Sequence, residues 1–214
     1  TITIEDPIEY HIQGISHPQV DTAKDYTFAN GLRAIVRQDP DIILVGEIRD
    51  RETAEIALNA SLTGHLVFST IHTNDAAGTI PRLIDLGIRT QVIAPAINMA
   101  MGQRLLRRLC ENCHVQESPT TDQLQQIQKA LEPIKDRFPI PQFEGLKVHF
   151  PKGCAKCNGS GYKGRVGVYE IFTVTREMEK LILSAPTISD VRDLAVKEGM
   201  ITMLQDAYLK LLDG

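Results

Sequence analysis

The sequence predicts a mixed α/β fold: a mostly parallel sheet with flanking helices, a small metal-binding segment and a C-terminal helical cluster. Over residues 1–109, short apolar runs typical of buried strands alternate with helical patterns, as in βαβ units. Two Cys-x-x-Cys pairs begin at Cys110 and Cys154. Beyond residue 165, a strand pattern precedes three amphipathic helical patterns. The predicted domains are residues 1–109, 110–164 and 165–214.

Basic residues change type at the first of these boundaries. Nine of the ten basic residues in 1–109 are Arg, whereas nine of the thirteen in 110–214 are Lys. Arg suits phosphate recognition and charged interfaces, and Lys suits solvated surface. The change supports a domain boundary near residue 110.

Composition excludes several classes of protein. A hydrophobic fraction of 43% and a charged fraction of 23% are ordinary for a globular chain and exclude global disorder. The net charge of −4 argues against a general nucleic-acid coat, which needs a basic face. No apolar run approaches the ~18 residues of a membrane span. The chain begins at Thr1, without Met or a signal peptide, and we expect a fragment of a larger chain.

Three strands are predicted in the first segment. The chain starts with β-branched residues, and two continuous apolar runs further on are typical of strands buried on both faces. The predicted strands cover residues 1–5, 41–46 and 65–70.

Capping residues delimit the predicted helices of this segment. Helix starts are predicted at Thr27, Asp50 and Asn74, whose side chains can accept hydrogen bonds from the first turn. The corresponding ends are Gln38, which precedes Asp39-Pro40, then Gly64 and Gly87. Residues 90–109 are predicted to be helical despite Pro95.

The remainder of the chain is predicted to be mixed. A Pro-rich stretch at 133–145 predicts a loop, and residues 165–172 predict a strand. The predicted helices cover residues 121–131, 176–184, 188–198 and 202–212.

Polar side chains follow each predicted strand of the first segment. Parallel sheets place ligands outside the carboxyl ends of their strands, so these side chains would share one rim. Carboxylates at such a rim can hold Mg²⁺ through water or polarise an attacking water. The plainer interpretation is that polar residues mark where strands leave the core. The rim candidates are Glu5, Asp6, Glu9, Glu47, Arg49 and His72.

Glu47 is the most specific of these candidates. An apolar strand followed by a carboxylate is the Walker B arrangement of nucleotide hydrolases, and Gly46 stands where many of them carry a Mg²⁺-binding Asp. Glu47 is then the candidate base that orients water. Alternatively, it caps a helix or pairs with Arg49 or Arg51.

Arg33 and Arg37 lie four residues apart and are expected on one face of a helix. Arginines on such a face could meet a phosphate donated across a subunit boundary, because Arg stabilises the charge of a transferring phosphoryl group. The alternative is a solvated face paired with Asp39 or Asp41.

Two histidines flank the third predicted strand. His72 follows the strand at the rim, where it could sense the γ-phosphate of a nucleotide, with a purely structural role as the alternative. His65 precedes the strand and is the weaker candidate.

The four cysteines give the strongest local signal. Cys110 with Cys113, and Cys154 with Cys157, provide two thiolate pairs that suit a tetrahedral Zn²⁺ site. With no open coordination position, the site would be structural. His114 is adjacent but is not needed as a ligand, and two redox dithiols are the alternative.

Several stretches match one known family: TITIEDPIEY, LRAIVRQDPDIILVGEIRDRETAEIAL, TGHLVFSTIHTNDA, QRLLRRLC and GYKGRVGVYEIF. On these stretches, nearly the whole chain resembles the secretion ATPases that assemble type IV pili and drive type II secretion. The family's Asp-box matches Glu5, Asp6 and Glu9, its atypical Walker B matches Gly46-Glu47, its His-box matches His65 and His72, and its zinc subdomain matches Cys110, Cys113, Cys154 and Cys157.

The resemblance implies a RecA-like ATPase domain that uses ATP, Mg²⁺ and Zn²⁺. It implies a homo-hexameric ring at the cytoplasmic face of the bacterial inner membrane, held there through partners. Hydrolysis would move an inner-membrane platform protein that adds pilin or pseudopilin subunits. Arg33, Arg37 and Arg49 match family arginines at the subunit interface near the nucleotide, which serve cofactor binding together with His65.

The chain departs from the family pattern before the Asp-box. No G-x-x-x-x-G-K-[ST] P-loop occurs in these residues, so residues 1–214 alone are expected to hydrolyse ATP negligibly. One alternative function is a non-hydrolysing, zinc-containing interaction module. Another is a RecA-like DNA motor, against which the acidic net charge argues. The GYKGRVGVYE stretch slightly favours pilus assembly over secretion.

Overall fold

A computed structural model describes residues 1–213. This part of the chain is mixed α/β, with a three-stranded parallel sheet, helices and two two-stranded sheets. The elements in chain order are β1 (Ile2–Ile4), α1 (Phe28–Val36), β2 (Ile42–Ile48), α2 (Arg51–Leu62), β3 (Leu66–Ile71), α3 (Thr79–Asp85), α4 (Thr90–Ala96), β4 (Met99–Leu109), β5 (Val115–Glu117), α5 (Thr121–Leu131), β6 (Val148–Phe150), β7 (Tyr162–Thr173), α6 (Arg176–Leu183), α7 (Ile188–Lys197) and α8 (Met203–Asp213).

β1, β2 and β3 form the parallel sheet, with β2 in the centre. Helices α1 and α2 pack against this sheet and help to shield the apolar side chains of β1 and β2. Ile4, Ile43 and Val45 are fully buried. A stretch of chain near Ser16 adds isolated parallel bridges on the free side of β1. The predicted parallel arrangement is confirmed for these three strands.

The predicted caps explain where α1 and α2 begin. The Thr27 side chain accepts a hydrogen bond from the Asn30 amide, and the Asp50 carboxylate accepts one from the Thr53 amide at 2.8 Å. Both predicted starts are confirmed. α1 ends at Val36, two residues before the predicted end.

The prediction that the third strand is buried is wrong. β3 pairs with β2 on one side only, and among residues 1–213 no strand pairs with its other side. Leu66 and Phe68, which are two residues apart and therefore share one face of the sheet, are 47% and 49% exposed. The apolar run correctly indicated a strand, but burial depends on partners that the described residues do not supply.

The prediction of one helix over residues 90–109 is also wrong. α4 ends at Ala96, and β4 follows and pairs with β7. Leu, Met, Gln and Arg are good helix formers, but tertiary pairing overrides intrinsic helix propensity, which is a small energy per residue. β7 itself confirms the predicted strand at 165–172 and begins three residues earlier.

Asn74 does not cap the following helix, contrary to the prediction. α3 begins at Thr79, after a turn in which the Asp75 carboxylate accepts a hydrogen bond from the Gly78 amide at 2.8 Å. The chain therefore needs four more residues to turn before the helix starts. Gly87 follows the end of this helix with a φ of 85°, as predicted.

Contacts group the chain into two units. The first unit comprises Thr1–Ala100 and Phe172–Glu198, and the second comprises Met101–Ile171 with the residues from Gly199 onward. The last three helices are confirmed as elements, but α6 and α7 belong to the first unit and α8 to the second. The three-part division at residues 110 and 165 remains a prediction.

The second unit has its own small core. Ile127, Leu131 and Ile134 are buried there, and side chains of α8 pack against them. The predicted helix at 121–131 is confirmed with its bounds unchanged. Beside it, β5 and β6 form an antiparallel pair. None of the helices in residues 1–213 has both the length and the apolar character needed to cross a bilayer.

Candidate functional site

Glu47 lies inside β2, next to an irregularity of the sheet. Val45 pairs with Ser69, but the next pair joins Ile48 to Ile71. β2 therefore has one more residue than β3 between these pairs, which is a β-bulge. Bulges re-aim side chains, and this one lies where the sheet meets its carboxyl rim. The prediction that Glu47 comes after the strand is corrected: the strand continues to Ile48.

Gly46 lets the bulge form beside β1. A Cβ atom at this position would lie 3.2 Å from the Ile4 carbonyl oxygen and 3.3 Å from the Glu5 Cα. The Gly46 carbonyl accepts a hydrogen bond of 2.8 Å from the Thr70 hydroxyl of β3. Gly46, which lacks a side chain, thus allows the backbones of β1 and β2 to approach closely.

The Glu47 carboxylate is bonded on one oxygen only. His72 Nε2 donates to Oε2 at 2.9 Å, and Arg49 Nε donates to the same oxygen. No residue among 1–213 bonds Oε1, and no buried side-chain polar atom in this part of the chain lacks a partner, so Oε1 reaches the surface. The residue is 8% exposed.

Two opposing effects set the pKa of Glu47. Burial raises it, but the hydrogen bonds and charges of His72 and Arg49 together outweigh burial and hold the pKa below its usual value. The carboxylate is therefore ionised at neutral pH and can accept a hydrogen bond at Oε1. The predicted alternative of pairing with Arg49 is also met, whereas Arg51 pairs with Glu55.

Glu5 lies at the end of β1, beside Gly46. The Thr3 hydroxyl donates to Glu5 Oε1 at 2.6 Å, and His17 Nδ1 donates to the same oxygen at 3.1 Å. The bond from Thr3, helped by His17, lowers the pKa of Glu5, although burial opposes the shift. Glu5 and Glu47 are thus two ionised carboxylates on neighbouring strand ends.

His17 is a site residue that the sequence analysis missed. Its ring is nearly buried, and its Nε2 accepts a hydrogen bond from the Ile12 amide at 3.2 Å. The ring proton therefore lies on Nδ1, where it faces Glu5. No motif indicated this residue, because its contact with Glu5 depends on a chain segment that returns alongside β1.

The four remaining rim candidates occupy two different places. Asp6 and Glu9 lie on the exposed stretch after Glu5. His72 and Arg49 meet at Glu47.

Arg33, in α1, and Arg37, directly after it, are both exposed. Arg33 donates to Asn30 Oδ1 at 3.1 Å and forms an ion pair with Glu52. The alternative pairing with Asp39 or Asp41 is therefore not found for Arg33.

His65 lies at the other end of β3 from His72. Its Nδ1 bonds the Ala60 carbonyl at 2.9 Å, which satisfies the end of α2. Along an extended strand, His65 and His72 are about 23 Å apart, since each of the seven steps adds about 3.3 Å. The structure does not bring His65 to Glu47.

The four cysteine sulfurs converge in the second unit. All four lie within 4.8 Å of one another. Three of the pairs are 3.9 Å apart (Cys110–Cys154), 3.8 Å (Cys113–Cys157) and 3.7 Å (Cys154–Cys157). Four thiolates bound tetrahedrally at about 2.3 Å from Zn²⁺ would be about 3.8 Å apart. The cluster therefore fits a tetrahedral metal site.

Backbone amides stabilise the thiolate form of one cysteine in this cluster. Cys157 Sγ accepts from the Cys154 amide at 3.1 Å and from the Gly161 amide at 3.2 Å. The bond from Cys154, together with that from Gly161, lowers the pKa of Cys157 to about 6. Burial raises the pKa of Cys113 to about 12. A bound divalent cation would favour the thiolate form of all four.

Comparisons with known proteins agree on one family. The family model described as "Type II/IV secretion system protein" matches residues 1–214. The type IV pilus assembly ATPase PilB of Thermus thermophilus is 42% identical over 214 residues, which are all of this chain and 23% of that protein. Type II secretion system protein E of Pseudomonas aeruginosa is 43% identical over 213 residues, and the match covers 100% of this chain and 40% of that protein.

A solved structure is similar as well. The pilus retraction motor PilT with bound ADP superposes with a TM-score of 0.63 and 30% identity. The match covers 100% of this chain and 48% of that chain. The chain therefore spans less than half the length of each of these three relatives.

Proposed function

Because the chain belongs to the type II/IV secretion system protein family, we propose that it is part of an ATPase motor powering type IV pilus assembly or type II secretion. The observation that carries this proposal is the Glu47 carboxylate. It is ionised, held by two donors on Oε2 and open at Oε1. Such an oxygen can accept a hydrogen bond from an attacking water and orient it.

Other rim residues have supporting roles in the proposed mechanism. Glu5 shapes the metal and water environment, because it is ionised and adjacent to the bulge, and Asp6 and Glu9 line the same rim. His72 bonds Glu47 and senses the phosphate. Bound ATP–Mg²⁺ supplies the phosphoryl group and neutralises part of its charge.

The arginines act across a subunit boundary in this proposal. Arg37 is exposed, and Arg33 and Arg49 keep about half or more of their side-chain surface exposed. They can therefore offset developing phosphoryl charge on a neighbouring subunit of a homo-hexameric ring. We leave His65 out of this site because it caps α2 at the opposite end of β3.

The proposed RecA-like core is larger than the three strands described. The half-exposed Leu66 and Phe68 on β3 support this, because an unpaired apolar strand gains stability from a further strand. We propose that a segment outside these residues supplies that strand and the P-loop. Without that segment, residues 1–214 hydrolyse ATP negligibly.

The cysteine cluster is proposed to hold one structural Zn²⁺. All four ligands come from the protein, so no coordination position remains for a substrate. The second unit would then be a zinc subdomain of the motor.

The names of two relatives support the proposed cellular process, which is pilus assembly or secretion. One is a pilus assembly ATPase and another a type II secretion protein. The motor would sit at the cytoplasmic face of the inner membrane, attached through a platform membrane protein that it moves. No nucleic acid is involved.

The test compares ATP turnover by the full-length protein carrying these residues with that of its Glu47→Gln variant. Glutamine is a poor acceptor for a water proton, so we expect turnover to fall about 100-fold with ATP binding retained. The control is Glu55→Gln, which changes an exposed carboxylate on α2 paired with Arg51. It should hydrolyse ATP as the wild type does.

Equal turnover in the wild type and in Glu47→Gln would contradict the assignment of the base. Absence of turnover in both would favour a second function, a non-hydrolysing zinc-containing interaction module. The converging cysteine sulfurs favour this alternative, since they need no nucleotide to act as a scaffold.

A further inference from the structure

The His72 ring is held by few contacts of its own. Its side chain is 73% exposed, and its hydrogen bond to Glu47 is the contact that orients it. An exposed ring has little packing to fix its rotamer, so the backbone of the loop between β3 and α3 decides where the ring lies. That loop covers residues 72–78.

Asp75 organises this loop through both carboxylate oxygens and through its backbone carbonyl. Its Oδ1 accepts from the Gly78 amide at 2.8 Å, and its carbonyl accepts from the Thr73 hydroxyl at 2.8 Å. Gly78 packs so tightly that an added Cβ would lie 3.3 Å from Asp75 Oδ1. The Asp75 side chain is only 19% exposed.

The remaining oxygen of Asp75 is bonded from far along the chain. Arg192 of α7, 117 residues later, donates through Nη2 to Asp75 Oδ2. Both residues lie in the first unit, where α7 packs with α3. α7 is anchored by Val191 and Ala195, which are buried. A fixed helix thus contacts the residue that organises the His72 loop.

We propose that Asp75 and Arg192 are positioning residues that hold His72 against Glu47. This inference rests on the proposed function, in which Glu47 orients water and His72 assists it. An ion pair whose arginine is about half exposed adds little to global stability. Its effect is local: it fixes the backbone from which an exposed ring must reach Glu47.

The first experiment is a double-mutant cycle on ATP turnover by the full-length protein. We expect Arg192→Gln to lower kcat about threefold to tenfold, with KM for ATP little changed. In a His72→Ala background, Arg192→Gln should have no further effect, because Arg192 acts through His72. An equal loss in both backgrounds would mean that Arg192 has a merely structural role, and it would overturn the proposal.

Two more variants test the same pair. Asp75→Asn keeps an acceptor for the Gly78 amide but loses the charge that Arg192 pairs with. It should therefore lower kcat as much as Arg192→Gln does. The double variant should have the same kcat as either single variant. Lys180→Gln removes an exposed ion pair on α6 in the same unit and should leave kcat unchanged. A loss with Lys180→Gln equal to that with Arg192→Gln would count against a specific role.

A second measurement does not depend on hydrolysis. In the full-length protein labelled with nitrogen-15 histidine, Arg192→Gln should move the ring signals of His72 and leave those of His65 in place. Unmoved His72 signals would overturn the proposal. If Glu47→Gln and the wild type hydrolyse ATP equally, the proposed function fails, but the His72 signals still decide whether Arg192 positions the ring.

Discussion

Glu5 and Glu47 have lowered pKa values for the same reason: each accepts two hydrogen bonds on a single oxygen. A carboxyl whose pKa is lower in the folded than in the unfolded state adds stability above its unfolded pKa, here 4.5. That stability is lost as the pH falls through the lower, folded pKa. The two residues therefore stabilise the first unit at neutral pH and cease to do so in acid.

Thr3→Val tests this linkage at Glu5. The substitution preserves shape but removes the hydroxyl that donates to Glu5, so the pKa of Glu5 should rise toward 4.5. We expect the free energy of unfolding to fall by about 1–2 kcal/mol at pH 7. The loss should shrink as the pH falls below 4.5, as measured by urea unfolding from pH 3 to pH 7.

The control for Thr3→Val is Ser61→Ala. The Ser61 hydroxyl donates to the Ala96 carbonyl at 2.9 Å, and no titratable group is involved. The control variant should lower the free energy of unfolding by the same amount at every pH in this range. A pH-independent loss for Thr3→Val would contradict the linkage.

At the scale of one strand, the bulge in β2 does most to shape the site. It places an extra residue between the pairs Val45–Ser69 and Ile48–Ile71, at the point where the carboxylate must face the rim. An isolated glycine within a strand pattern is a recognised sign of a bulge, so Gly46 could have indicated it. The register itself could not be read, because it depends on the pairing partner.

Gly46→Ala tests whether the close approach of β1 and β2 matters. The new Cβ would press on the backbone of Ile4 and Glu5, which cannot yield as a flexible side chain can. We expect a loss of about 1–3 kcal/mol in the free energy of unfolding, measured by urea denaturation. Ser69→Ala, on the exposed strand β3, should change it by less than about 0.5 kcal/mol. Equal effects of the two would show that the space at Gly46 is not limiting.

At the scale of the whole molecule, the two units have different sources of stability. The first unit has a sheet and helices with an extensive buried core. The second has a small cluster around Leu131 and four converging cysteines. Small cores are marginal by themselves, so a metal would contribute a large share of the second unit's stability.

Metal removal tests this difference. We expect roughly one zinc per chain by elemental analysis, lost in Cys110→Ser and in strong chelator. Circular dichroism should then show a lower unfolding temperature for the second unit, while the first unit is little affected. His114→Ala is the control and should keep its zinc. Full stability and an unchanged fold without metal would contradict a structural zinc site.

The local features of the fold could be predicted because they depend on neighbouring residues. Thr27 and Asp50 cap the helices they precede, and the helix at 121–131 has its predicted bounds. Of the site, the sequence indicated Glu47, Glu5 and the four cysteines. It did not indicate His17, whose partner lies on another chain segment.

By itself, the sequence determined the positions of the first three strands, the helix starts at Thr27 and Asp50 and the cysteine spacing, since each is set by residues within a few positions. Tertiary structure alone decided that residues 99–109 form a strand, because β7 satisfies their backbone hydrogen bonds. It also decided which histidine meets Glu47 and that Arg192 reaches Asp75. These outcomes depend on contacts between residues far apart in the chain, which local propensity does not encode.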